Sequence, residues 1–195
     1  MVDAAAEALA RGEVVALPTD TVYGLAVVAS RPAAAAALAR LKGRGADVPI
    51  QVLVAGLEQA DALAGPDGLR GPARRLAERF WPGGLTVVVP RRAGVQLDVG
   101  GDGTTVGLRC PATGLVRALC RRVGPLAATS ANRHGAPPLP TAAAVREAFG
   151  AALAVVVDGG ACTGLASTVV DLTGPEPVCR REGAVPWQAV LDELG

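Results

Sequence analysis

Thr19, Tyr23, Lys42, Arg44, Arg109, Ser130, Asn132, Ser167 and Arg181 are the polar residues that fall at predicted strand and helix ends. Ligands gather at such ends in open α/β sheets. The cations among them suit a polyanion: lysine offers a compact point charge to phosphate oxygens and arginine a planar fork. The hydroxyl and amide groups add directional contacts to phosphate or ribose. Lys42 stands out, because among 19 Lys and Arg residues it is the only lysine. Tyr23, Ile50, Asn132 and His134 are likewise the only residues of their types, and serine occurs only at positions 30, 130 and 167. On the hypothesis that genomic base composition disfavours lysine codons, a lysine retained where arginine would keep the charge points to a chemical need. Each residue also has a structural explanation. Thr19 can cap a turn, Lys42 and Arg44 can face a helix dipole, Asn132 can serve a turn beside Gly135, Tyr23 can sit in the core, Ser167 can face solvent on a strand, and Arg109 can be a surface charge.

Several chemistries are excluded by what is missing. There is no Gly-x-x-x-x-Gly-Lys-Ser/Thr string and no Gly-x-Gly-x-x-Gly after a strand, so a bound nucleotide needs another cradle. There is no Gly-x-Ser-x-Gly elbow, and His134 lacks an obvious acid partner for Ser-His hydrolysis. Cys110, Cys120, Cys162 and Cys179 form no Cys-x-x-Cys pair, which reads as scattered thiols of a cytoplasmic protein rather than a zinc site or disulfides. The net charge of +1 argues against strong non-specific nucleic-acid binding. No apolar run reaches bilayer-spanning length, and the N-terminus reads as a short amphipathic helix rather than a signal peptide. Half the residues are hydrophobic, as expected of a globular chain with a sizeable core.

The positioning elements are predicted as follows. Helices fall at 3–11, 31–41 (with Pro32 in its first turn), 57–64, 72–80, 113–122, 141–148 and 186–194. Strands fall at 14–17, 50–54, 85–89, 104–108, 125–128, 153–157, 167–172 and 177–181. Residues 18–26 read as a turn with cap residues Thr19 and Asp20, followed by an apolar turn of helix. The glycine-rich segment 91–103 reads as a loop. Helices and strands interleave, so the class is α/β, with one domain over 1–195. Consecutive strands near 153–181 predict a mixed sheet rather than a purely parallel one.

Five strings occur together in order: Pro18-Thr19-Asp20-Thr21-Val22-Tyr23-Gly24-Leu25, Lys42-Gly43-Arg44, Ser130-Ala131-Asn132, Ser167-Thr168-Val169-Val170-Asp171 and Arg181-Glu182-Gly183. This series resembles the YrdC/Sua5/TsaC family over nearly the whole chain, with Lys-x-Arg plus Ser-x-Asn as the hallmark. Three departures stand out: Trp81-Pro82-Gly83-Gly84 has Gly where the family often has a second Pro, Gly45 replaces a usual Pro, and Ala166 a common Glu. The resemblance implies a YrdC-like twisted mixed sheet with helices around a deep basic cavity. It further implies synthesis of L-threonylcarbamoyl-AMP and pyrophosphate from L-threonine, bicarbonate and ATP, the product passing to a separate tRNA threonylcarbamoyl transferase complex. ATP enters with Mg²⁺, and no tightly bound protein-ligated metal is expected. By the same resemblance Lys42 and Arg44 are catalytic and bind the triphosphate. Thr105, Ser130, Asn132 and Arg181 serve the nucleotide. Thr19, Tyr23, Arg109 and Ser167 serve threonine, with Arg109 on its carboxylate. The chain ends about where the catalytic domain of the family's short form ends. Two alternatives remain open: carbamoyl-adenylate formation on a related scaffold, and a non-catalytic RNA-binding module. Against the second stand the near-zero charge and the few aromatic residues, which offer no stacking platform.

Overall fold

The computed structural model describes residues 2–162 and 164–195. The strands are β1 (Val15–Leu17), β2 (Gly24–Val28), β3 (Gln51–Leu53), β4 (Leu85–Pro90), β5 (Thr105–Arg109), β6 (Leu126–Ser130), β7 (Val155–Val156), β8 (Thr168–Asp171) and β9 (Val178–Arg181). They form a nine-stranded sheet in the order β7-β1-β2-β6-β3-β5-β4-β8-β9. The sheet is mixed as predicted. The pairs β1/β7, β3/β5 and β4/β8 are parallel, and the others are antiparallel.

Helices cover both faces. α1 (Val2–Ala10) and α5 (Gly114–Val123) bury Ala5, Leu9, Val116 and Leu119 against one face. α2 (Ala34–Lys42), α4 (Gly71–Phe80), α6 (Ala142–Phe149) and α7 (Trp187–Leu194) contribute Leu38, Leu76, Val145 and Val190 to the larger core cluster. A short α3 (Leu57–Asp61) completes the set. In α4, Pro72 stands in the first turn and Ala73, Leu76 and Ala77 form the buried stripe. The i,i+4 pair Arg74–Glu78 lies on the exposed side. Truncating the fully buried Leu76 to Ala would cost about 2–5 kcal/mol.

Two local expectations are corrected. Residues 24–28 form a strand, not a turn of helix. Every residue of that strand is buried, so its apolar run lacks the alternation that marks a half-exposed strand. Pro32 precedes α2 rather than opening it, because Ala33 adopts a left-handed conformation and the helix starts at Ala34. Among the described residues no helix is long and apolar enough to cross a membrane.

Candidate active site

The end of α2 shows why lysine and arginine are separated by glycine. Gly43 has φ 70°, the left-handed region that glycine enters without steric cost. Its N–H donates to Arg40 O, and the Arg44 N–H donates back to Ala39 O at 3.1 Å. This pair of bonds is a Schellman closure. It stops the helix at Lys42 and turns the chain so that Arg44 follows at once.

Lys42 is only 4% exposed. Its Nζ donates to Ser130 O at 3.0 Å, Ser130 Oγ at 3.1 Å and Asn132 Oδ1 at 2.6 Å, which uses all three ammonium protons. The backbone joins the same two segments: His134 N–H donates to Lys42 O, and Arg133 Nη1 to Leu41 O. Asn132 is held in turn, its Nδ2 donating to Arg133 O and Ala136 O. The Lys42 partners are therefore neutral. Burial first, and the neighbouring Arg44 charge second, pull its pKa from 10.5 to about 8. Burial also lowers the pKa of Arg44, whose Nε is buried with no partner among the described residues. Two cations thus stand side by side without a carboxylate partner among the described residues, an arrangement that an incoming anion would relieve.

Arg44 and Ser130 lie on the wall of a cavity of about 620 Å³, together with Thr105, Arg109, Ser167 and Arg181. Lys42 and Asn132 stand behind the wall at Ser130, and are not themselves lining residues. Arg109 is 2% exposed. Its Nε donates to Gly83 O, its Nη1 to Thr21 Oγ1 at 2.9 Å, and its Nη2 to Asp20 Oδ1 at 2.8 Å. One N–H on each terminal nitrogen remains free of these bonds. Burial lowers the Arg109 pKa and the Asp20 carboxylate opposes that shift. Arg181 lies on β9, where a register shift beside Val169 and Val170 breaks the ladder. Such a bulge re-aims side chains, and Arg180 and Arg181 both reach the cavity. Burial and then the Arg109 charge lower the Arg181 pKa, so like charges converge on this space.

Thr19 and Tyr23 are placed differently. The Thr19 hydroxyl donates to Val22 O and accepts from the N–H groups of Thr21 and Val22. It caps its own turn and lines a small recess that also holds Thr21, Gln51 and Arg109. Tyr23 is fully buried and is not on the cavity wall. Its hydroxyl donates to Gly160 O at 2.8 Å and accepts from Gly159 N–H, which anchors the loop after β7. The expected pocket-wall position is not the one observed. The sequence reading missed Asp20, Thr21, Gln51 and Thr86, all of which hold or line the site.

The basic wall, the hydroxyl groups and the unpartnered Arg44 Nε suit a polyanion. Sequence and structure comparisons relate the chain to known proteins. The Sua5/YciO/YrdC family model, described as telomere recombination, matches residues 7–183. A Pyrococcus abyssi threonylcarbamoyl-AMP synthase is 38% identical over 98% of this chain, which spans 56% of that relative's length. A Chromohalobacter salexigens threonylcarbamoyl-AMP synthase is 39% identical over 90% of this chain and 95% of its own. The crystal structure of P. abyssi Sua5 complexed with L-threonine superposes with a TM-score of 0.92 at 37% identity, over the whole of this chain and 57% of that one. The chain belongs to the Sua5/YciO/YrdC family.

Proposed function

We propose that this chain is an L-threonylcarbamoyladenylate synthase. It converts L-threonine, bicarbonate and ATP into threonylcarbamoyl-AMP, pyrophosphate and water, for modification of tRNA to threonylcarbamoyladenosine. The observation that carries this reading is the buried pair Lys42 and Arg44, without a carboxylate partner among the described residues, beside a cavity with further arginines. The names of the P. abyssi and C. salexigens relatives, and the threonine bound to P. abyssi Sua5, support it.

The chemistry asks for charge neutralisation more than for a strong base. The threonine amine and carbon dioxide or bicarbonate form a carbamate. A carbamate oxygen then attacks the α-phosphorus of ATP, and the bridging oxygen leaves with pyrophosphate. Nucleophile and electrophile are both anionic, so alignment and fixed positive charge lower the barrier. Arg44 would meet the phosphates with its unused N–H, and Lys42 would hold Ser130 and Asn132 in place while adding positive charge behind the wall. Thr105 and Arg181 would face the nucleotide. The free N–H groups of Arg109 would take the threonine carboxylate, with Thr19 and Ser167 on the same side. ATP enters as its Mg²⁺ complex, the metal arriving with the substrate. The adenylate then leaves for a tRNA-modifying transferase.

The test is pyrophosphate release from ATP, Mg²⁺ and bicarbonate by purified protein. Dependence on L-threonine is expected. Dependence on carbamoyl phosphate instead would assign the chain to carbamoyl-adenylate formation.

A further inference from the structure

The cavity wall contains a hydrogen-bond chain that begins at a group able only to donate. Arg181 on β9 can only donate. Its Nη2 donates to Ser167 Oγ at 3.1 Å, while its Nε donates to Ser167 O. Ser167 Oγ lies 2.9 Å from Thr86 Oγ1 on β4, and Thr86 Oγ1 donates to Gln51 Oε1 on β3 at 2.8 Å. Thr86 and Ser167 are 1% and 2% exposed, so their hydroxyl protons are best satisfied by the neighbouring side chains. Two polarities of the hydroxyl pair satisfy both protons, and both end on the same atom: Ser167 donates to Thr86 and Thr86 to Gln51 Oε1, or Thr86 donates to Ser167 and Ser167 to Gln51 Oε1 at 3.5 Å. With the amide turned the other way, its nitrogen donates to Thr86 and Thr86 to Ser167. The Ser167 proton is then left without an acceptor, since it receives from Arg181 and Thr86 and Gln51 would turn its nitrogen toward it.

The chain crosses β5, which lies between β3 and β4. The residue of β5 between Gln51 and Thr86 is Gly107. A Cβ built there would meet Thr86 Cγ2 at 3.5 Å, Val88 Cγ2 at 3.8 Å and Gln51 Cα at 3.9 Å, all ordinary van der Waals contacts. The consequence falls on the other end of the Gln51 amide. With Oε1 held by Thr86, its NH₂ group is turned away from the chain, and among the described residues neither N–H has a protein acceptor. Gln51 lines the main cavity and also the recess that it shares with Thr19 and Arg109.

We propose that Gln51 is a substrate-binding residue that donates its carboxamide N–H groups to a carboxylate-type oxygen of the amino-acid substrate, and that Thr86 is a positioning residue that fixes the amide in this orientation. This rests on the synthase reading for the identity of the amino acid. The oxygen belongs either to the amino-acid carboxylate or to the carbamate formed on its amine. Glutamate at position 51 would keep the Thr86 bond but present an anion in place of donors.

The test uses the full chain with Gln51→Leu, Gln51→Glu and Thr86→Val. Titration calorimetry with L-threonine alone reads binding, and pyrophosphate release reads the Michaelis constants. Loss of a hydrogen bond to a charged group predicts that Gln51→Leu weakens L-threonine by roughly tenfold or more. Gln51→Glu should weaken it further, Thr86→Val should have an intermediate effect, and the KM for ATP should change less than about twofold. A carboxylate contact appears in the calorimetry without bicarbonate, whereas a carbamate contact leaves that affinity intact and raises the KM for both threonine and bicarbonate. Unchanged L-threonine affinity and unchanged KM values in Gln51→Leu would overturn the proposal. So would a Thr86→Val variant that loses thermal stability but keeps wild-type KM values. Gln51-dependent binding of L-threonine by a wild-type protein that releases no pyrophosphate would sink the synthase reading alone.

Discussion

ATP entering this cavity should draw protons from the buffer, and Lys42 is the group that should take them. Its pKa lies at about 8 because the side chain is buried among neutral acceptors next to the Arg44 charge. A triphosphate against Arg44 and Ser130 favours the charged form and moves the pKa back up. With a free-state pKa of about 8, roughly half of the molecules carry a neutral Lys42 at pH 8, about a tenth at pH 7 and about nine-tenths at pH 9. Proton uptake per ATP bound should follow the same progression, approaching these values if the bound pKa returns to the ordinary lysine range. The phosphate groups of ATP are already ionised at pH 8 and contribute little. Calorimetric titration of ATP in buffers of different ionisation enthalpy reads the uptake directly. Lys42→Arg supplies the control, because a guanidinium stays charged throughout. Uptake that rises from pH 7 to 9 in the wild type and vanishes in Lys42→Arg is the expected result. A binding heat independent of buffer, or equal uptake in Lys42→Arg, would refute the account of why the Lys42 pKa is low.

Further outcomes follow from the same contacts. Because the folded pKa of Lys42 is depressed, the unfolded chain binds more protons between about pH 8 and 10.5, so this residue's contribution to stability should become more favourable across that window. Denaturant melts of wild type and Lys42→Met at pH 7 and pH 10 should show the difference moving in favour of wild type at the higher pH. Lys42→Ala should lower turnover sharply while retaining the fold by circular dichroism, and full activity in that variant would remove Lys42 from the site. Arg109→Met should abolish activity and destabilise the protein by about 3 kcal/mol in chemical denaturation, since it strands Asp20 and Thr21. Tyr23→Phe should cost about 1 kcal/mol of stability with an unchanged KM for threonine, because its hydroxyl serves the backbone at Gly159 and Gly160 and not the cavity.

Much of this architecture could be read from local chemistry. The Lys42-Gly43-Arg44 string ends its helix because glycine alone enters the left-handed turn cheaply, and Ala73, Leu76 and Ala77 recur at helical spacing. Residues 24–28 could not be read in this way. A strand buried on both faces has no alternating pattern, so its sequence looks as helical as it looks extended. Within the site, Lys42, Arg44, Ser130 and Asn132 were visible as scarce residues or family strings. Asp20 was seen only as a cap, yet its carboxylate pairs with Arg109 across 89 residues of sequence. Thr86 and Gln51 gave only a faint sign, a polar residue within or opening an apolar strand. Their partners are set by strand order, which no local pattern specifies. Tyr23 shows the opposite failure: its motif and its rarity drew attention to a pocket, whereas the fold uses it as an anchor.

The proposed reaction of this cavity joins a threonine-derived carbamate to AMP. It is tested most directly by incubating the protein with ATP, Mg²⁺, L-threonine and isotopically labelled bicarbonate, then analysing the nucleotide products by mass spectrometry. The expected product is threonylcarbamoyl-AMP carrying the labelled carbon, formed in step with pyrophosphate and lost in Lys42→Ala. Pyrophosphate released without a labelled adenylate, or no threonine-dependent product at all, would contradict it.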